Sequence, residues 1–502
     1  MDHDLLVEPL LTWRDRNGNR GSSSLPGLLG RMAEGAVMDF PRLRTHQFHP
    51  WCMFLAQLAA IALHRARLSD LPAEEGRWRD LLLAVSDGRH EPWCLIVEDL
   101  ASPAFFQPPV PEGSLDGWNT YETPDEIDIV VTARGHDVKV GAIPEDDVEA
   151  WVYALMTLQT MQGVYGQRKY GIARMNKGLG NRPRVGLTTG PAAGERFCRD
   201  VRVLLDSWDR ALEAGFGEGG FGLLWLVPWD GTTSLARDQL SPHFIEVCRR
   251  VRLRWRQSRV ECVGSTSRVK RSLSAEQENR GDVGDPWTPV DREGAALTVG
   301  ERNFNYQLLA ELICGDSYEQ ASAQKPMPED TDPMTFTVWA MVRGQGRTEG
   351  LRERDVPLPA NIRWRLGRPD ERAALGKRSQ SYVADAARMA RDVLRPALHE
   401  LGPAKPSSFS ERVDGMFFDY LFATLDSGEE AARLEFRRRL RTIAWDELQS
   451  AIDGCGLEPG TRLERACAAE RVFGARAAKL MGRSLEEAGN QEHEDERSEQ
   501  PC

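Results

Sequence analysis

Residues 144–184 read PEDDVEAWVYALMTLQTMQGVYGQRKYGIARMNKGLGNRPR, and the reading of the whole chain turns on this stretch. Its first half predicts a helix. Pro144 and three acids open it and complement the helix dipole, while Val148, Trp151, Leu155 and Leu158 fall on one face. The helix ends at Gly163. From there to Arg184 the chain carries six basic residues (Arg168, Lys169, Arg174, Lys177, Arg182, Arg184), five glycines and no acid. Glycine permits positive φ and close backbone approach, so such a loop can offer N–H groups and cationic side chains together to a polyanion. A loop launched from a packed helix also keeps a fixed position. The segment reads as a phosphate-binding surface or, alternatively, as a solvated loop whose charges face water.

Outward from this stretch, 502 residues exceed one ordinary core and suggest several domains. The formal charge of −12 excludes a protein that coats nucleic acid by bulk attraction, so any such contact is local. Nine cysteines stand singly, with no CxxC pair, which reads as reduced thiols and not as a disulfide framework or zinc ribbon. No basic-then-apolar leader opens the chain, and the longest apolar run, near Met53 to Leu63, is too short to span a bilayer. The expectation is a soluble cytoplasmic protein with no membrane contact.

Upstream, residues 5–12 (LLVEPLLT) predict a short strand. The segment FPRLRTHQFHPWCMFLAQLAAIALHRA predicts a buried helix with Pro50 in its first turn, entered through His46 and His49. Residues 101–127 read as an ordered loop, and IDIVVTA with HDVKVGA as two strands around Arg134-Gly135. Downstream, RDVRVLLDSWDRALEAG reads as a helix, GLLWLVPWDG as a strand and turn, and SPHFIEVCRR as a helix. In VRLRWRQSRV, Val251, Leu253 and Trp255 alternate with Arg252, Arg254 and Arg256, which predicts a strand with one buried and one basic face. Nine basic residues against one acid, Glu261, lie between Arg249 and Arg271, making a second cationic patch with STSRVKRS at its tip. DVGDPWTPV should tuck Trp287 into a core. MTFTVWAMVRGQGRTEGLRERDVPLP predicts a strand, a turn at Gly344, Gln345 and Gly346, and a returning strand.

After Pro359 four amphipathic segments, near 368–400, 407–424, 428–453 and 460–483, are joined by short connections, which predicts a four-helix bundle. The fold class expected is α+β: a globular domain over 1–360, the bundle over 361–484 and an acidic, disordered tail over 485–502. Sequence motifs of catalysis are missing: there is no P-loop, GxSxG or HExxH. His136 and Asp137 are adjacent, and on a strand they would face opposite ways. A binding subunit is favoured over an enzyme. Two alternatives stay open, a metal-dependent nuclease using His46, His49, His136 and Asp137, and an RNA-binding scaffold.

Several segments together resemble the large subunit of the type I-E CRISPR Cascade complex, the CasA family. They are LLVEPLL, FPRLRTHQFHPWCMFLAQLAAIAL, AFFQ, HDVK, WVYALMTLQTMQGVYGQRKYGIARMNKGLGNRP, LLWLVPWDG, VGDPWTP and VRGQGRTEGLRERDVPLP, in order over most of residues 5–359. The resemblance implies a non-enzymatic subunit, without metal or cofactor, that reads the protospacer-adjacent motif (PAM) of a target duplex, helps open it for R-loop formation and docks a nuclease-helicase in antiviral defence. Partners implied are the crRNA-bound backbone, small and crRNA-end subunits, the target double-stranded DNA and the effector. Carried over residue by residue, the glycine loop falls on Gly163, Gly166 and Gly171, with Arg168, Lys169, Asn176 and Lys177. The minor-groove finger falls on Arg268, Lys270 and Arg271, and the wedge on Gln345 between Gly344 and Gly346. The glycine run is thinned here to GVYGQRKYG, and a TEG insert follows the wedge.

Overall fold

The computed structural model describes residues 2–130, 147–176, 181–273, 280–300, 303–344, 347–402, 407–427, 429–455 and 458–498. The chain is a mixture of helix and small sheets and divides into two compact units, 1–303 with 317–360, and 304–316 with 361–502.

The first unit is built on the helix Thr45–Arg65, which is buried on nearly every side. A helix apolar all round belongs inside a core. It begins a turn earlier than Pro50 suggests, because the Gln47 side chain accepts from the Arg44 N–H at 3.1 Å and closes the N-terminus there, leaving Pro50 inside the helix. Beside it lies the expected helix Val148–Met161, capped by Asp147, whose carboxylate accepts from the Ala150 N–H at 3.1 Å. Gln159 fixes the far end of this helix. Its amide donates to the carbonyls of Phe106 (2.9 Å) and Arg249 (3.0 Å) and accepts from the N–H groups of Cys248 and Arg249, both at 2.8 Å.

Two three-stranded antiparallel sheets flank this centre. One runs Arg250–Arg256, Arg259–Ser265, Asn119–Tyr121, and the other Arg347–Leu358, Met334–Gly344, Arg184–Thr188. The predicted hairpin 334–358 is present, paired from Met334 opposite Leu358 down to Gly344 opposite Arg347. Trp287 is fully buried, as its turn-rich segment predicts.

Four local readings are corrected. SPHFIEVCRR is not a helix: Leu240–Ile245 is a wholly buried strand parallel to Phe221–Leu223, with Gln57 donating to the carbonyls of His243 and Phe244 at 2.9 and 3.0 Å. Short apolar runs do not distinguish buried helix from buried strand. Residues 5–8 form a turn closed by the Glu8 N–H on the Asp4 carbonyl at 2.8 Å, and the strand begins only at Leu11. After Phe221–Leu223 the chain makes a 3-10 turn, Leu224–Leu226. The alternation in VRLRWR also breaks. Trp255 is 40% exposed while Arg252 is buried, its guanidinium donating to the carbonyls of Val97 (2.7 Å) and Ser102 (3.0 Å), and burial lowers its pKa to about 10. The strands expected within 127–142 fall largely on residues 131–142, outside the described ones.

The second unit is helical. Helices Pro369–Arg388 and Arg395–Glu400 join through a π-helical turn, Met389–Leu394, and Phe409–Asp414, Phe417–Ser427, Glu429–Asp453 and Pro459–Ser498 follow. Tyr306–Cys314 belongs to this unit although it precedes it in sequence. Rings of Tyr382 and Phe436 lie 4.6 Å apart in its core, and buried Asp385 accepts from Arg433 and Arg437, each at 2.8 Å. The last helix runs through the acidic segment read as disordered, as far as Ser498, because its Glu, Ala, Gln and Arg residues favour helix. Among the described residues all cysteines are free, and no helix is long and apolar enough to cross a membrane.

Burial drives the pKa of His243 down to about 4, and it drives His49 well below its ordinary value, with Arg184 and Arg196 adding to the effect. Both rings are therefore neutral at pH 7, whereas the unfolded chain takes up protons near pH 6.5. The stability they contribute is full above that pH and is lost as pH falls toward the folded values. Thermal melts should show a falling midpoint already between pH 6.5 and 5, before the carboxylates titrate. A flat profile over that range would contradict the burial of these rings.

Candidate nucleic-acid interface

The glycine loop is closed at its neck and folded into a hydrogen-bonded turn at its tip. The Ile172 N–H donates to the Gln162 carbonyl at 3.0 Å. A side chain on Gly171 would place its Cβ 2.6 Å from the Gly163 carbonyl carbon, so two glycine backbones touch where the loop begins and ends. Farther out, the Tyr165 N–H donates to the Lys169 carbonyl (3.0 Å) and the Lys169 N–H to the Gly166 carbonyl (3.2 Å), making a tight turn. Gly166 has φ +130° and Arg168 φ +60° within it. Arg168 is exposed and Lys169 half-exposed.

The other cations of this stretch do different work. Arg174, Arg182 and Arg184 are fully buried. Arg174 pairs with Glu246 at 2.9 Å and reaches Asp285 at 3.5 Å, Arg182 pairs with Asp285 at 2.5 Å, and Arg184 pairs with Asp200 at 3.1 Å. Glu246 also accepts from the Ala173 N–H (2.6 Å) and the Ser272 hydroxyl (2.9 Å). Burial pushes the Asp285 carboxyl up, yet Arg182 and Arg174 outweigh it and hold the group below the usual carboxylate range. The basic residues therefore split into anchors and presenters. Lys177 lies outside the described residues. Asn176 is turned elsewhere, its amide 3.5 Å from the Ala296 carbonyl.

The second patch splits in the same way. Arg249, Arg250, Arg252 and Arg271 are buried. Arg271, expected at the surface, donates to the Val227 carbonyl at 2.8 Å and lies 5.4 Å from the Trp229 ring, where burial lowers its pKa to about 10. Arg268 is exposed and Lys270 half-exposed. Their segment is bolted to the glycine loop: the Ser267 N–H donates to the Arg168 carbonyl and the Tyr170 hydroxyl to the Arg268 carbonyl, both at 3.0 Å. The fold thus brings Arg168, Lys169, Arg268 and Lys270 together, and none forms an ion pair among the described residues.

Three residues that position this cluster escaped the sequence reading. Arg249 holds the loop neck, donating to the Gly163 carbonyl at 2.8 Å. Tyr170 links loop to finger. The Gly231 carbonyl accepts from the N–H groups of Arg268 (2.6 Å) and Val269 (3.3 Å). Tyr170 lies inside the first basic stretch and Arg249 opens the second, but nothing in the sequence marks either as an anchor. Gly344 ends its strand, and Gln345 and Gly346 lie outside the described residues.

The histidines proposed as metal ligands do not act as a pair. His46 Nε2 lies 2.7 Å from the Asp128 carboxylate, while His49 packs its ring between those of Phe48 and Trp339 at 5.2 and 5.5 Å. His136 and Asp137 lie outside the described residues.

The fold is similar to that of solved CRISPR-associated proteins. Structures similar to it over nearly the whole chain are Cse1 proteins, also called CasA: that of Thermus thermophilus (15% identity, TM-score 0.65, 96% of this chain and 99% of that one) and those of Acidimicrobium ferrooxidans and Thermobifida fusca (each 14% identity, TM-score 0.65, 96% of this chain, and 99% and 98% of theirs). A chain of a CRISPR RNA-guided surveillance complex matches at 15% identity and TM-score 0.54, over 95% of this chain and 99% of that one. No protein-family model matches the chain. No curated protein matches it in sequence.

Proposed function

We propose that this chain is the large subunit of a crRNA-guided type I-E Cascade complex: a non-enzymatic subunit that reads the PAM of a target duplex, helps open it and docks the nuclease-helicase. One observation carries the reading. On a Cse1-like fold, the glycine loop and the 267–270 segment are hydrogen-bonded into one surface whose cations, Arg168, Lys169, Arg268 and Lys270, face solvent. Guide pairing supplies sequence specificity in such complexes, so protein need read only a short duplex signal and the backbone. Readout through the minor groove is degenerate, which goes with a tolerant PAM. In this reading the helices beyond residue 361 form a four-helix bundle against the other crRNA-bound subunits, the protein works in the cytoplasm, and Gln345, flanked by Gly344 and Gly346, is the wedge.

Reconstitution tests the reading. A guide-loaded complex lacking this chain should fail to bind PAM-bearing duplex and should recover when the chain is added. Unstacking a base step costs a few kcal/mol, and underwinding relieves part of it. Gln345→Ala should therefore slow R-loop formation most on linear duplex, less on negatively supercoiled plasmid and hardly at all on a target with a bubble beside the PAM. Equal loss on all three, with a lowered melting temperature, would mean that Gln345 only supports its own turn.

A further inference from the structure

At the tip of the glycine loop the structure exposes two neighbouring apolar side chains, Val164 at 36% and Tyr165 at 42%. They sit just beyond the Gly163/Gly171 neck, and the bond from the Tyr165 N–H to the Lys169 carbonyl fixes the backbone beneath the ring. The Lys169 ammonium lies 5.7 Å from the ring centroid. Arg268 and Lys270 stand on the adjoining segment, tied to the loop at Arg168 and Tyr170. A loop that is merely solvated has no use for an exposed aromatic ring set among cations on a hydrogen-bonded turn. The combination suits a polyanion whose surface also offers apolar walls. Duplex DNA does so in its minor groove, where deoxyribose edges line the walls and phosphates border them.

We propose that Tyr165, with Val164, makes an apolar contact on the duplex, packing against the minor-groove wall while Arg168, Lys169, Arg268 and Lys270 take the flanking phosphates. The inference rests on the duplex-reading function proposed above and adds a contact of a different physical kind. Phosphate contacts release counterions and weaken with salt, at roughly 0.9 in the log–log slope for each. An apolar contact releases none. Tyr165 should thus add affinity that is independent of salt.

The test uses the assembled guide-loaded complex and PAM-bearing duplex, titrated from low to physiological salt. Tyr165→Ala should weaken binding about tenfold at every salt concentration with the slope unchanged, the weight of part of one aromatic ring buried. Tyr165→Phe should retain the wild-type affinity, since the ring and not the hydroxyl makes the contact. Three outcomes overturn the proposal. If Tyr165→Ala lowers the slope, the ring only positions Lys169. If it changes nothing while Arg168→Ala/Lys169→Ala weakens binding, the loop reads DNA without the ring. If the wild-type complex itself shows no preference for PAM-bearing over PAM-less duplex, the duplex-reading function falls together with this inference.

Discussion

Replacing Arg168, Lys169, Arg268 and Lys270 together by alanine is expected to lower the salt dependence of target binding by about 3 to 4 in the log–log slope, roughly 0.9 for each phosphate that is no longer neutralised. The affinity of the assembled complex near 0.1 M salt should fall by about two orders of magnitude. The fold should not suffer. All four side chains reach solvent and none is ion-paired among the described residues, and exposed charges of that kind contribute little to stability. A salt series on PAM-bearing duplex, run beside a thermal melt of the isolated chain, measures both effects. An unchanged slope would show that the cluster does not face DNA, and a collapsed melt would show that it supports the fold instead. Because the protein carries a formal charge of −12, the isolated chain should bind duplex only weakly, and these residues matter most once the complex holds the duplex in place.

Asp285→Ala should have the opposite signature. Asp285 is buried between Arg182 and Arg174, and its removal leaves two guanidinium groups in the core with less charge to balance them. Breaking a buried pair from one side costs about 3–5 kcal/mol, a drop of about 4–7 °C in the melting temperature of a unit of this size. DNA binding would be lost through the scaffold, since the same network anchors both ends of the stretch that follows the glycine loop. Changing Arg182 to Met in the same chain should recover part of the lost stability, because an apolar side chain of similar volume replaces the guanidinium left without its partner while Arg174 keeps Glu246. A melt that does not move on Asp285→Ala would refute the anchoring role.

The contrast between these variants shows how far the site is legible before folding. GVYGQRKYGIARMNKGLGNRPR presents six equivalent cations, and composition marks the stretch as special without dividing it. What separates Arg168 from Arg182 is Asp285, about a hundred positions away. Similarly, Lys270 and Arg271 are neighbours in sequence, yet Arg271 turns inward to the Val227 carbonyl and the Trp229 ring while Lys270 remains at the surface. Union of the loop with the finger depends on Ser267, Tyr170 and Gly231, whose backbone and hydroxyl bonds have no sequence signature.

Local chemistry alone determined the elements whose information is local. The helix Val148–Met161 follows from its apolar face and acidic first turn, and the hairpin 334–358 from two β-rich runs about a glycine-flanked turn. The helical character beyond residue 360 follows from its Ala, Leu, Arg and Glu periodicity. Tertiary structure decided what depends on distant partners. Leu240–Ile245 is a strand because Phe221–Leu223 lies beside it and Gln57 bonds its carbonyls. Arg252 is buried because three carbonyls of the 97–102 segment receive it. A charge enters a core only where partners replace its water, and those partners are brought into place by the fold.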